Sequence, residues 1–455
     1  MDKFECISPL DYRYGNEKFS GFLSEEARIK YQTRVEAALA AALAKKGICS
    51  KKIAAEIAAA AGQIKAAEVY AEEEKIKHDI RALANCIRAK VSEEAKPFVH
   101  FGATSYDIVD TASALRYKEA TEQLVLPALI ELLKAFIEIA LREKATLQIG
   151  RTHGQHAEPI TFGFAIAEFV NRLGNRIKAI ENAKNNLEGK FSGAVGAYNA
   201  SSLFLAQPIE LEKEIMQSLG LKQSMHSTQI VEPESLQDLM HALSGAFCVL
   251  ANFADDMRNL QRTEIAEIAE AFEAKQVGSS TMPHKRNPIN FENVKSLWKQ
   301  FMPRMMTVYL DSISEHQRDL TNSASARFIP EFFAGLVASS ERMAKVCRKL
   351  VVDKESMQKN FEQSKKGIVA EPLYLLLAAN GHSDAHECVR QMTVEAEKSG
   401  KPLMELAAAD PAVAKYLVKL SRQQKEMLSE PEKYIGKAVE KTEQTCAYWK
   451  KELKI

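Results

Sequence analysis

The sequence predicts an all-α protein, with three helical domains arranged around a central bundle of long helices. Glycine and proline number only 20 and 14 in 455 residues and gather in a few places, which leaves long stretches free for a helix. Those stretches carry apolar residues every three or four positions, and the two-residue alternation of a half-buried strand is nearly absent.

The first piece, residues 1–108, is alanine-rich from Glu36 to Tyr70, carries the charged helical run EEEKIKHDIR, and ends in the irregular segment PFVHFGATS. The central piece, 109–350, holds the strongest periodicity. One stripe runs through Leu129, Leu133, Phe136, Ile137 and Leu141, and another through Phe162, Ile166, Phe169, Leu173, Ile177 and Ile180. A third runs through Leu239, Leu243, Phe247, Leu250, Ala254, Met257 and Leu260, behind a capping-box-like Ser235 and Asp238. The third predicts a helix of about 40 residues, roughly 60 Å long. Packing such stripes against one another gives an elongated antiparallel bundle. The last piece, 351–455, holds short amphipathic segments broken at Gly381, Gly400, Pro402, Pro411 and Pro431.

Sixty-one Lys and Arg against 60 Asp and Glu leave a net charge of +1, so no overall field would hold nucleic acid or an anionic membrane. An anionic small molecule must be met by a local cluster. The opening MDKFECISPLDYRYG has no apolar core of signal-peptide length, and no run approaches the roughly 20 apolar residues of a membrane span. These features predict a soluble, cytoplasmic protein. Seven scattered cysteines without a CxxC pair read as reduced thiols rather than a disulfide framework or a zinc ribbon.

Three polar, glycine-bearing segments interrupt the helical pattern: His100 to Asp107, Gly150 to Thr161, and Gln276 to Asn290. The third, QVGSSTMPHKRNPIN, carries adjacent hydroxyls at Ser279 and Ser280 and a cationic pair at Lys285 and Arg286, more chemistry than a connecting turn requires. In the second, His153 and His156 form an HxxH pair, and His382 and His386 form a pair four residues apart. Either pair is half of a metal site at most, since neither has an HExxH context or a nearby cysteine. No GxGxxG or GxxxxGK[ST] run points to a nucleotide cofactor.

The run GSSTMPHKRNP resembles the signature loop of the fumarase/aspartase superfamily, whose members eliminate or add across a fumarate-like double bond, or isomerise a related acid. VHFGATSYDIVDT and GRTHGQHAEPITFG agree with it in order and spacing. Within the superfamily the resemblance is to the adenylosuccinate lyase branch, through Arg13 and Tyr14, through Lys77, His78 and Asp79, and through RDLTNSASAR, which places Arg318, Ser323 and Arg327. The muconate cycloisomerase branch shares the loop and the HxGATS segment but not the Arg-Tyr and Lys-His-Asp sets. It and another lyase of the superfamily stand as the alternatives, beside a structural protein that kept the fold and lost catalysis.

Releasing fumarate from a succinyl amine needs a base to take the proton beside one carboxylate, an acid for the leaving nitrogen, and donors for the carbanion's charge. The resemblance implies that Ser279 is the base and His153 the acid, that Glu292 orients the acid histidine, and that His78 contacts substrate. A serine can serve only if its loop lowers the cost of an alkoxide. Gly278, the amides around Ser279 and the Lys285 ammonium are the candidates for that, with Lys285 also meeting the developing carboxylate. Thr104 and Ser105 match positions that hold a succinyl carboxylate, and Thr152 is a further carboxylate ligand. Gln229 and Asn287 match substrate-binding positions, while Asn293 stands where some relatives have arginine. Arg13, Tyr14, Lys77, Asp79, Arg318, Ser323 and Arg327 are the implied contacts to the rest of a phosphorylated nucleotide. No cofactor is implied. The resemblance also implies a homotetramer with each site shared between subunits, which would bring together loops lying at the ends of long helices.

Overall fold

The computed structural model of the chain describes residues 5–272 and 275–455, so the first four residues of the amino-terminal stretch read above lie outside it. Its architecture is all-α, as the periodicity predicts, with three two-stranded β pairs among the described residues. The chain forms two compact units, each assembled from three stretches.

The first unit comprises Met1–Glu131, Asn175–Ala251 and Val294–Arg342. Its helices start where short polar side chains can satisfy free amides. Ser24 accepts from the Ala27 N–H ahead of Glu25–Lys45, and Ser50 from the Ile53 N–H ahead of Lys51–Ala61. The charged run EEEKIKHDIR is not one helix. Ala66–Ile76 ends at Lys77, which adopts the left-handed conformation, and His78 caps the following helix, Asp79–Arg88. The core is aromatic, with Tyr117 stacked on Phe333 at 5.2 Å and Phe247 against Phe301 and Phe332 at 6.3 and 6.0 Å.

The second unit comprises Leu132–Gly174, Asn252–Asn293 and Met343–Ile455. Phe253 packs against Phe136, Phe169 and Phe291 with centroids 4.4, 5.1 and 6.3 Å away. The short helices between Ala370 and Ser429 enclose a core of their own, including Leu373, Leu377, Val389, Leu403, Val413 and Leu428. Their breaks fall at the expected residues: Gly400 ends Ala385–Ser399 in the left-handed region, and Pro411 opens Pro411–Leu417. The final helix, Ala438–Leu453, lays Trp449 over Gly174, where an added Cβ would sit 2.3 Å from the indole, and Trp449 donates to the Asn171 side chain at 3.0 Å.

Two expectations need correction. The third stripe belongs to a helix of 27 residues, Glu234–Leu260, about 40 Å long at 1.5 Å per residue. Its apolar period stops at Leu260, and the chain then turns so that Ile268–Ala269 can pair with Val351–Val352. Ser235 lies inside that helix and does not cap it. The segment Gly150 to Thr161, read as irregular, is largely an antiparallel hairpin of Leu147–Thr152 and Gln155–Thr161. A register shift between Ile149 and Arg151 breaks the alternation that would have revealed it. Gly150 sits at that shift, where a Cβ would approach the Glu158 carbonyl oxygen to 2.8 Å.

Candidate active site

His153 occupies the tip of this hairpin. Thr152 pairs with Gln155, which leaves a two-residue loop of His153 and Gly154, with φ of 55° and 75°. Positive φ at both positions is the pattern of a type I′ turn, which matches the twist of the flanking strands. Glycine adopts it freely, whereas histidine is strained there, a cost that presents an exposed imidazole on a rigid support. The support is polar and buried at its base. Arg151 forks onto Glu267 at 2.6 and 3.2 Å, and Gln148 and Asn360 donate to the same carboxylate. His156 bonds to the Ser364 hydroxyl at 2.7 Å, and burial together with the Arg151 charge holds its pKa low. His382 lies ahead of the helix Ala385–Ser399 and accepts from the Asp384 N–H, while His386 meets the Tyr374 ring. These contacts engage His156, His382 and His386 and leave His153 at the tip of the hairpin.

The signature loop is non-helical from Gln276 to Pro288 and is built in the same unit. The Ser279 hydroxyl oxygen accepts from the N–H groups of Thr281 and Met282, at 3.3 and 3.1 Å. These are donors of the kind an alkoxide requires, supplied by the two residues after Ser280. Gly278 contributes through close approach: an added Cβ would lie 2.1 Å from the Lys285 carbonyl oxygen. Asn287, expected at the substrate, donates to the Gly278 carbonyl at 3.2 Å, and Arg286 lies over the Phe272 ring. The loop ends where Glu270 caps the helix Ile289–Phe301, accepting from the Asn290 and Phe291 amides. Burial keeps that carboxyl above its usual range. The segment Glu267–Glu270 therefore anchors both the His153 hairpin and the Ser279 loop. Lys285 and Glu292 are exposed.

In the first unit a second group of expected residues converges. Thr104 caps the helix Ser105–Ala120 in a capping box with Asp107, whose other oxygen is ion-paired with the fully buried Lys190. One turn on, Asp110 accepts from the Val231 N–H at 2.9 Å, which ties the turn bearing Gln229 to this helix. Burial pushes the Asp110 carboxyl up to about 6, against the pull of Val231 and of the Lys190 and Arg318 charges. Arg318 lies 3.5 Å over the Tyr106 ring, and the charges of Asp79 and Asp110 act on the same tyrosine. Lys77 and His78 are exposed beside Asp79 at the break between two helices. The other expected nucleotide contacts belong to the same unit. Arg13 ends the helix Pro9–Tyr12, Tyr14 follows it, Ser323 is exposed, and Arg327 acts on Glu25. Tyr106, Asp107, Asp110 and Lys190 were not singled out from the sequence. Tyr106, Asp107 and Asp110 stand inside VHFGATSYDIVDT, and the resemblance of that segment is the signal that could have found them.

The model of a family described as "Lyase" matches residues 11–302, and that of "Adenylosuccinate lyase C-terminal" matches 314–435. An adenylosuccinate lyase of Pyrococcus abyssi is 39% identical over 97% of this chain and 98% of its own length. One from Archaeoglobus fulgidus is 35% identical over 98% of this chain and 100% of its own. The chain belongs to the adenylosuccinate lyase family. Members of this family are carbon–nitrogen lyases of the fumarase/aspartase superfamily, and purine and AMP biosynthesis follow from that activity. Solved structures carry the fold further. A fumarate lyase from Mesorhizobium superposes with a TM-score of 0.82 at 24% identity, over 95% of this chain and 98% of that one. A 3-carboxy-cis,cis-muconate lactonizing enzyme from Pseudomonas putida gives 0.83 at 23%, over 97% and 99%. At such identities the likeness concerns architecture alone, whereas the adenylosuccinate lyase relatives match in sequence along nearly the whole chain. Among the described residues no helix is long and apolar enough to cross a membrane.

Proposed function

We propose that this chain eliminates fumarate from adenylosuccinate, leaving AMP, and from the related succinyl-carboxamide ribotide, leaving the carboxamide ribotide, with Ser279 as base and His153 as acid. The single observation that carries the mechanism is the pair of backbone N–H groups on the Ser279 oxygen. An alkoxide has three lone pairs; two rest on the Thr281 and Met282 amides and the third faces the substrate. Ser279 Oγ takes the proton from the carbon beside one carboxylate, and the electron pair moves onto that carboxylate as carbanion character. Lys285, with Thr104, Ser105 and Thr152, offsets the added charge. The carbon–nitrogen bond then breaks, and His153 delivers a proton to the leaving nitrogen, which departs on the nucleotide. His78 and Gln229 contact the succinyl portion, and Arg13, Tyr14, Lys77, Asp79, Arg318, Ser323 and Arg327 hold the rest. Asn287 acts through the loop, by holding the Gly278 carbonyl. The scheme needs no metal or redox group.

The working form is a cytoplasmic homotetramer whose sites draw on several subunits, with Glu292 orienting His153. Large apolar side chains left exposed on one chain, among them Leu203, Ile313 and Phe328, support assembly. The three-part division at 108/109 and 350/351 belongs to the same reading, supported by the separate core of the carboxy-terminal helices. The test is fumarate release from adenylosuccinate with a muconate-type acid run alongside, and molar mass by light scattering under the assay conditions. Turnover of the muconate-type acid alone, or an active monomer, overturns the reading.

A further inference from the structure

The guanidinium of Arg318 is held in an unusual way. Its carbon lies 3.5 Å above the centre of the Tyr106 ring, while Nε and Nη2 are buried and have no hydrogen-bond acceptor. The adjacent Gln317 leaves its Oε1 buried without a donor. Orphaned donors of a charged group cost more than a cation over an aromatic face returns, so this arrangement is stable only when an anion completes it. Carboxylates are close enough to compete. Asp110 and Asp79 both act on Tyr106, Asp110 feels the Arg318 charge, and so does Asp319. Yet none forms an ion pair with Arg318. Asp110 is engaged by the Val231 N–H, and Asp319 accepts from the Glu315 and Thr321 amides and from the Thr321 hydroxyl. The contact with the ring holds the guanidinium carbon over its face and leaves Nε and Nη2 open.

We propose that Tyr106 is a positioning residue: its ring holds Arg318 away from the neighbouring carboxylates so that the buried edge, Nε and Nη2, is free for an anionic group of the substrate. This rests on Arg318 contacting substrate, as assigned above. The ring face, over which the guanidinium carbon lies, carries the effect, and the hydroxyl's own hydrogen bond with Arg318 is the lesser interaction. Phenylalanine therefore substitutes for tyrosine, and leucine does not. Without the ring, Arg318 turns toward Asp110 and must be pulled away before substrate binds, which raises KM and leaves the chemical step alone.

The test is steady-state kinetics on the whole enzyme with adenylosuccinate. Tyr106→Leu is expected to raise KM about tenfold, the scale of a desolvated cation–π contact, with kcat within about twofold of the parent. Tyr106→Phe restores the parental KM, and Asp110→Asn added to Tyr106→Leu recovers part of the loss. Tyr106→Met, whose unbranched side chain adapts to the space a ring leaves, serves if the leucine variant does not fold. An unchanged KM in Tyr106→Leu, alongside a raised KM in Arg318→Met, overturns the positioning role. So does a phenylalanine variant as impaired as the leucine one. An unchanged KM in Arg318→Met instead removes the assignment of Arg318 itself, and with it the proposal.

Discussion

Arg151 and Glu267 form a two-pronged ion pair at the base of the His153 hairpin, with the Glu267 side chain fully buried. Gln148 and Asn360 share the same carboxylate, so three side chains from two other stretches of the unit depend on it. Glu267→Ala would strand a buried guanidinium and two amides. The expected loss is about 3–5 kcal/mol, the usual cost of breaking a buried pair from one side, and urea unfolding measures it. A loss under about 1 kcal/mol would mean that water replaces the carboxylate.

Gly278→Ala tests the loop without touching a reacting group. The added Cβ would stand 2.1 Å from the Lys285 carbonyl, so the backbone must part and carry Ser279 with it. Turnover should fall on the order of a hundredfold, as small displacements of reacting groups do, while the melting temperature hardly moves, because the loop is largely exposed. Full turnover in the alanine variant would mean that the loop adjusts at no cost.

Ser279→Ala and His153→Ala should each leave a folded assembly with turnover lowered at least about a hundredfold. Mixing the two inactive variants under conditions of subunit exchange should restore activity, because some mixed sites would draw an intact serine and an intact histidine from different chains. No recovery after proven exchange would place both groups in one subunit.

Arg327→Ala is expected to raise KM for the phosphorylated substrate more than for the corresponding nucleoside, since a phosphate ligand is removed. Equal losses on the two would point to a structural role for its charge near Glu25.

Glu158, on the second strand of the hairpin, shares a proton with Glu371, which also accepts from the Tyr434 hydroxyl at 2.9 Å. The hydrogen bond with Glu371 raises the Glu158 carboxyl to about 7 and lowers that of Glu371. A carboxyl whose folded pKa is raised stabilises the fold below its unfolded value and loses that contribution as pH climbs to the folded one. The window here runs from about 4.5 to about 7. Thermal unfolding from pH 5 to 8 should therefore show a fall in the parent that is reduced in Glu158→Gln. Parallel curves for the two proteins would show that the shared proton carries no linkage.

The residues proposed for the chemistry were legible because loop chemistry is local. Ser279 and His153 stand out as polar residues beside glycines, and Lys285 as a cation in the Ser279 loop, in a chain that is otherwise helical. The helical class was legible for the same reason, since Phe162, Ile166, Phe169 and Leu173 line one face by spacing alone and are all buried. Helix length was less so. The pattern behind Leu239 says where a helix can run, whereas its end at Leu260 depends on Ile268 meeting Val352, which lies far along the chain.

By itself, then, the sequence determined the fold class and the family and pointed to candidate reacting side chains, because each is written in short-range spacing and residue type. Tertiary structure alone decided how those side chains are held. The left-handed His153 turn needs its paired strands, the Thr104 cap rests on an ion pair between residues 83 apart, and Arg318 lies against a tyrosine more than 200 positions earlier. The physical reason is that burial, desolvation and close approach depend on which distant segments meet, and a linear pattern carries that information only weakly.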